Sequence, residues 1–144
     1  MQPRKISDDL SVAEQIMPAD LQTVAALGFR SVICNRPDGE GPDQPSFAEI
    51  AKAADAAGLE TRYVPVQGTG IVDSDIEHFR DAFASVPHPV LAYCRSGMRS
   101  TSLWALDQVL TLPVTQVLAK AAAVGYDLSP LSQRLTKQAK AAVE

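Results

Sequence analysis

Residues 90–100 read Val90-Leu91-Ala92-Tyr93-Cys94-Arg95-Ser96-Gly97-Met98-Arg99-Ser100, and this stretch decides the fold. Pro89 to Tyr93 is short and almost continuously apolar, the pattern of a strand covered on both faces in the middle of a parallel sheet. The polar stretch Cys94 to Ser100 follows at once. A helical pattern then runs from about Thr101 to Leu110, presenting Leu103, Trp104, Leu106 and Leu110 to a core. A buried strand that passes through a tight loop into a helix puts that loop beyond the carboxyl end of the sheet, where α/β proteins bind their ligands.

The same grammar extends in both directions. Lys5 to Gln15 alternates weakly around Asp8-Asp9 and predicts a hairpin. Pro18 to Leu27 predicts a helix closed by Gly28, and Phe29 to Cys34 a strand ended by the turn-forming run Asn35 to Pro45. Ser46 to Ala57 predicts a second helix, with Ser46 as N-cap, Glu49 three residues later and Gly58 at its end. Glu60 to Val66 reads as a strand, Gly68, Thr69 and Gly70 as a loop, and Asp73 to Ser85 as a helix with Ile76, Phe79 and Phe83 on one face. Two further helices are expected at Val114 to Val124 and Pro130 to Ala142. Strands alternating with helices imply right-handed crossovers. The expected fold is a three-layer α/β domain with a mostly parallel central sheet of four to five strands and helices on both faces.

The chain has 144 residues, which predicts a single domain over residues 1–144, with a helical part at about 113–144 packed on it. An apolar share of 46% against 21% charged residues is enough to build one core and argues against a disordered chain. Seventeen acidic against thirteen basic residues give a net charge of −4, so there is no global basic field to hold a nucleic acid. A small anion in a local nest of arginines remains compatible with that balance. No stretch approaches the roughly 18–20 apolar residues that span a bilayer, and Met1 to Asp9 is polar, so a soluble, cytoplasmic protein without a membrane partner is expected. Cys34 and Cys94 lack metal-ligand spacing, as do His78 and His88, so neither metal nor organic cofactor is expected and both thiols should be reduced.

The chemistry concentrates after Tyr93. Backbone N–H groups of a turn that opens a helix converge, and the helix N-terminus adds partial positive charge there. Gly97 permits a backbone conformation that a side chain would obstruct. Arg95 and Arg99 add two permanent cations able to grip a tetrahedral oxyanion. The same field favours thiolate over thiol at Cys94, which makes it a nucleophile inside an anion cradle. Two reactions fit: attack on a phosphate ester, or uptake of a sulfane sulfur as a persulfide. The plainer alternative is a small apolar residue ending a buried strand.

These residues resemble two related groups, the rhodanese-type sulfurtransferases and the cysteine-dependent tyrosine and dual-specificity phosphatases. The wider chain is similar to a bacterial family called DUF442, the phosphatase-like domain of beta-lactamase-hydrolase-like proteins. The matches are Asn35-Arg36-Pro37-Asp38-Gly39-Glu40, Gln44-Pro45-Ser46, Val64-Pro65-Val66 and Tyr93 to Ser100, covering residues 5–130. The resemblance implies a cysteine phosphatase-like or rhodanese-like fold and a cysteine-dependent enzyme. Such phosphatases carry five residues between cysteine and arginine, whereas only four separate Cys94 from Arg99. The loop length therefore resembles the rhodanese pattern. The phosphatase signature also has histidine where Tyr93 stands, and its aspartate acid is missing from Pro65-Val66-Gln67-Gly68-Thr69-Gly70.

The leading expectation is a rhodanese-type sulfurtransferase that moves sulfane sulfur from thiosulfate or a persulfide to a thiol, cyanide or a partner sulfur enzyme. The competing reading is a phosphatase acting through a Cys94 phosphocysteine, and the third a non-catalytic anion-binding or partner module. In the enzyme readings Cys94 and Arg99 are catalytic, and Arg95, Ser96, Gly97, Met98 and Ser100 bind the anion, with the Ser100 hydroxyl donating to sulfur. Arg36 is an accessory candidate that either extends the cationic bed or fixes the loop holding Asp38 and Glu40. Asp73 is the accessory acid candidate, against a simpler role, shared with Asp75, at a helix N-terminus. Cys34 is either a resolving thiol or a small buried residue, and Trp104 is expected in the core.

Overall fold

The apolar run Val90–Tyr93 is fully buried as the middle strand of a five-stranded sheet in the computed structural model, which describes residues 1–68 and 70–143. The strands are β1 (Arg4–Lys5), β2 (Leu10–Ala13), β3 (Ser31–Cys34), β4 (Glu60–Tyr63) and β5 (Val90–Tyr93), in the spatial order β1-β2-β5-β3-β4. β5 pairs in parallel with β2 on one side and β3 on the other, while β1 is antiparallel to β2 and completes the N-terminal hairpin. The register sets Cys34 opposite Tyr93, so the carboxyl ends of β3 and β5 finish level.

Helices α1 (Leu21–Ala26), α2 (Phe47–Ala56), α3 (Asp73–Ala84), α4 (Met98–Gln108), α5 (Val114–Ala123) and α6 (Ser132–Val143) cover the two faces. The pleat alternates which face each side chain meets. Val90 and Ala92 join Ile33, Phe79, Leu103 and Leu106 on one face, and Leu91 and Tyr93 join Val32, Leu21 and Ile50 on the other. Val117, Ala121 and Leu135 of α5 and α6 enter the first of these clusters. The molecule is a three-layer α/β fold. Among the described residues no helix is long and apolar enough to cross a membrane.

Three boundaries depart from the sequence expectation. The helix expected from Thr101 begins at Met98, because Gly97 turns the chain at φ +91° and the following residues are helical at once. The strand expected to reach Val66 ends at Tyr63. Pro65 has no N–H to give, yet the amides of Val64 and Val66 still reach Cys34 O and Asn35 O at 2.9 and 3.0 Å, so the segment follows β3 beyond the regular ladder. The helix expected from Pro18 opens as a 3-10 turn, Pro18–Asp20, in which Asp20 accepts the Met17 amide at 2.8 Å. Ser46 caps α2 as expected, accepting the Glu49 amide at 3.1 Å. Thr69 of the expected Gly68–Gly70 loop lies outside the described residues.

Burial on both faces makes β5 the strand least tolerant of a cavity. Leu91→Ala, at a fully buried position, is expected to cost about 2–5 kcal/mol in urea unfolding. A loss below about 1 kcal/mol would contradict the packing described.

Candidate functional site

Two β-type contacts extend the sheet past β5: the Cys94 amide donates to Ala13 O at 3.4 Å, and the Gln15 amide to Arg95 O at 3.2 Å. The chain then turns at Gly97, whose N–H donates to Cys94 Sγ at 3.0 Å. The first turn of α4 is closed by Thr101, which gives both its amide (3.0 Å) and its hydroxyl (2.8 Å) to Gly97 O. Among the described residues, the amides of Arg95, Ser96, Arg99 and Ser100 have no acceptor. Donors left over at a helix N-terminus are the groups with which an anion can pair. Cys94 itself is fully buried, with its sulfur on the floor of that turn.

Arg99, in the first turn of α4, is fixed by a two-point fork. Its Nη1 and Nη2 donate to Glu40 Oε2 and Oε1 at 2.9 and 2.8 Å, and Nη1 also reaches Val66 O at 2.9 Å. A guanidinium has donors along two edges. Once Glu40 and Val66 have taken one edge, Nε–H and the second proton on Nη2 remain together on the other, and Cys94 is near enough to help raise the guanidinium. Arg36 backs the fork, donating from Nε to Glu40 Oε1 and from Nη1 to Gln15 Oε1, each at 3.1 Å. Of its two expected roles, the structure gives Arg36 the second, fixing the Glu40 loop. The hydrogen bond from Arg99, with help from Arg36, holds the Glu40 carboxyl below its ordinary value of 4.5, and the Arg99 guanidinium is raised in turn by Glu40.

The remaining residues separate into those near the loop and those away from it. Ser100 is buried, and its hydroxyl donates to Asn35 Oδ1 at 2.8 Å, not to sulfur. Asn35 Nδ2 in turn donates to Val64 O at 2.9 Å, so Ser100 ties the start of α4 to the ends of β3 and β4. Ser96 accepts the Met98 amide on Oγ at 3.3 Å, while Met98 and Arg95 project towards solvent. Arg95 borders a groove with Gln15, Arg36, Glu40 and Gln44. Asp73 opens α3 and faces Arg134 across 3.6 Å with its side chain 89% exposed, and Asp75 caps the same helix through the Val72 amide. Cys34 is buried with its thiol donating to Arg36 O at 3.3 Å, and burial pushes that thiol up from its ordinary value. Burial likewise pushes Tyr93 up. Trp104 is buried in the core, as expected.

Four site residues carried too little signal in sequence to be assigned. Glu40 and Gln15 sit in polar runs that look like any solvated loop, and Asn35 looks like a turn former. Tyr126, which donates from its hydroxyl to Ser96 O at 3.0 Å, lies thirty positions from the loop it touches. The hint at Glu40 in the sequence was the expectation that Arg36 fixes the loop holding Asp38 and Glu40.

A buried cysteine at the foot of a helix N-terminus, separated by four residues from a forked arginine, on a mostly parallel sheet with helices on both faces, places the chain among the α/β proteins of cysteine phosphatase-like fold. The chain belongs to the family described as the beta-lactamase hydrolase-like protein, phosphatase-like domain, whose model matches residues 2–111. A beta-lactamase hydrolase-like protein of Agrobacterium fabrum is 34% identical over 143 residues, 98% of this chain. The chain spans about a third of the length of that relative, 33%. A crystal structure of a candidate phosphatase from Neisseria meningitidis is 35% identical, with a TM-score of 0.86 over 94% of this chain and 96% of that one. The structure of PTPMT1 shares the fold, with a TM-score of 0.71 at 16% identity over 99% of this chain and 96% of its own.

The Glu40 fork generates a signed pH prediction. A carboxyl held below its unfolded value contributes stability above that value and loses it as pH falls through the depressed one. Glu40→Gln should therefore unfold at lower urea than wild type at about pH 7, and the gap should close as the pH drops below 4.5. A gap that persists unchanged to about pH 3 would show that the carboxylate charge is not what holds Arg99.

Proposed function

We propose that this domain is a cysteine-dependent phosphatase that hydrolyses phosphate monoesters through a Cys94 phosphocysteine. The observation that carries the reading is the donor set. The open edge of Arg99, the Gly97 N–H that donates to Cys94 Sγ at 3.0 Å, and the amides of Arg95, Ser96, Arg99 and Ser100, left without an acceptor among the described residues, all belong to the one turn that follows Cys94. So many charge-assisted and backbone donors suit the three equatorial oxygens of a transferring phosphoryl group better than a single sulfane sulfur. The phosphatase-like family and the Neisseria relative point the same way and favour this reading over sulfur transfer, which the four-residue spacing had favoured. In this reading the early start of α4 offsets the short loop, because the amides of Arg99 and Ser100 already lie in a helix first turn.

In this mechanism the Cys94 thiolate attacks phosphorus, the bond to the ester oxygen breaks, and the departing oxygen takes up a proton. Water then attacks the phosphocysteine, the S–P bond breaks, and inorganic phosphate leaves with the thiolate restored. Arg99 and the loop amides hold the equatorial charge in both steps. Glu40 cannot supply the proton, because its two arginines keep it ionised. Asp73 is retained as the accessory acid of the proposal, on its place at the start of α3. Because Asp73 is 89% exposed and faces Arg134, it is a weakly placed acid, and substrates with weakly basic leaving groups, aryl phosphates above all, should react fastest. The two free, buried cysteines suit a reducing, cytoplasmic setting.

Purified protein given an aryl phosphate should release phosphate, and Cys94→Ser should lose at least about a thousandfold in kcat. Arg99→Lys should lose on the order of a hundredfold, since a point charge cannot replace the fork. An alkyl phosphate should turn over more slowly than the aryl ester. Thiocyanate formed from thiosulfate and cyanide in a Cys94-dependent manner, without phosphate release, would restore the sulfurtransferase reading. Anion binding that survives Cys94→Ala with no turnover of either kind would favour the non-catalytic module.

A further inference from the structure

We infer that Tyr126 is a positioning residue that holds the Cys94 nucleophile in its reactive setting through one peptide group. The inference deepens the phosphatase reading and rests on it for the role of Cys94. Tyr126 sits in the turn between α5 and α6, beyond the residues 2–111 matched by the family model, and is buried. Its hydroxyl donates to Ser96 O at 3.0 Å. The same peptide unit carries the Gly97 N–H, which donates to Cys94 Sγ at 3.0 Å. A peptide is planar, so pinning its carbonyl oxygen on one side fixes where its N–H points on the other.

That restraint matters because the peptide ends in a glycine. Gly97 sits at φ +91°, and glycine crosses between backbone wells at little steric cost. A flip of the Ser96–Gly97 peptide would turn the carbonyl towards sulfur, replacing a donor to the thiolate with a repelling oxygen. The Tyr126 hydroxyl opposes the flip, and a Cβ at position 97 would collide with that hydroxyl, so the two residues are fitted to each other. Hydrogen bonds in series polarise one another, which strengthens the donor that reaches sulfur. Arg4 packs over the outer side of the phenol, its guanidinium 5.2 Å from the Tyr126 ring centroid and donating to Val124 O at 2.8 Å. The charged and titratable groups around this line are Arg99 with Glu40 on the α4 side, Cys34 on β3, and Arg4 and Glu14 beside the phenol.

The test is peptide-resolved alkylation of Cys94 with iodoacetamide across pH, in wild type and Tyr126→Phe, with melting followed in parallel. Loss of one restraining hydrogen bond should slow Cys94 alkylation at about pH 7 by roughly three- to tenfold and move its profile to higher pH. A superimposable profile overturns the proposal, and so does a variant that only melts earlier. A second measurement needs no variant that must fold: in wild-type protein carrying ¹³C-labelled tyrosine, the Tyr126 ring signal should shift with Cys94 ionisation and lose that step in Cys94→Ser. A flat Tyr126 signal through the Cys94 step also overturns it. Neither readout involves phosphate. A silent phosphatase assay beside a shifted alkylation profile rejects the reaction alone, and phosphate release beside an unshifted profile rejects the role of Tyr126 alone.

Discussion

The hydrogen bond from the Gly97 amide to the Cys94 sulfur is the contact on which the site depends. It forms because β5 ends level with β3 and the chain then reverses in three residues, which only a left-handed residue at position 97 permits. Once Gly97 has turned, α4 starts immediately, so the unpaired amides of its first turn follow directly on the one that holds the sulfur. The sheet supplies the rigidity. β5 is paired on both sides and buried on both faces, so the residue that follows it has little freedom to move.

Electrostatics in this molecule is local. A chain of net charge −4 cannot draw anions by its overall field, and the cationic character of the site comes from arginines gathered at one sheet edge. One carboxylate, Glu40, organises them. It is shared between Arg99 and Arg36, and the side chains of that trio are 14%, 9% and 25% exposed for Arg99, Arg36 and Glu40. Low exposure makes the pairing stronger than a surface ion pair and holds the Arg99 edge in a fixed orientation, at the expense of neutralising part of its charge. Arg95, exposed beside Gln15, Arg36, Glu40 and Gln44, adds positive charge at the rim.

Much of the fold was legible because its signals are local. The unbroken apolar run of β5, the cap formed by Ser46 and Glu49, and the glycines that close α1 and α2 each report on a few neighbouring residues. The start of α4 was placed three residues late because Met98-Arg99-Ser100 reads as polar loop, and only the conformation of Gly97 reveals that the helix has begun. Cys94 and the loop arginines were visible as a cluster. The partners that give them direction were not, since Glu40, Gln15, Asn35 and Tyr126 reach the loop from other elements through contacts that leave no periodic trace. Loop length favoured sulfur transfer whereas the family favours a phosphatase-like domain, and counting residues between Cys94 and Arg99 says nothing about amides that a helix can supply.

The most direct test of the central claim is an acid quench of the protein within its first turnover of an aryl phosphate, followed by mass spectrometry of the peptide that carries Cys94. A phosphoryl group on Cys94, appearing before free phosphate and absent from Cys94→Ser, is the predicted result. Steady phosphate release with Cys94 never phosphorylated would contradict the account, because a sulfur held this way by the loop would then not be the nucleophile.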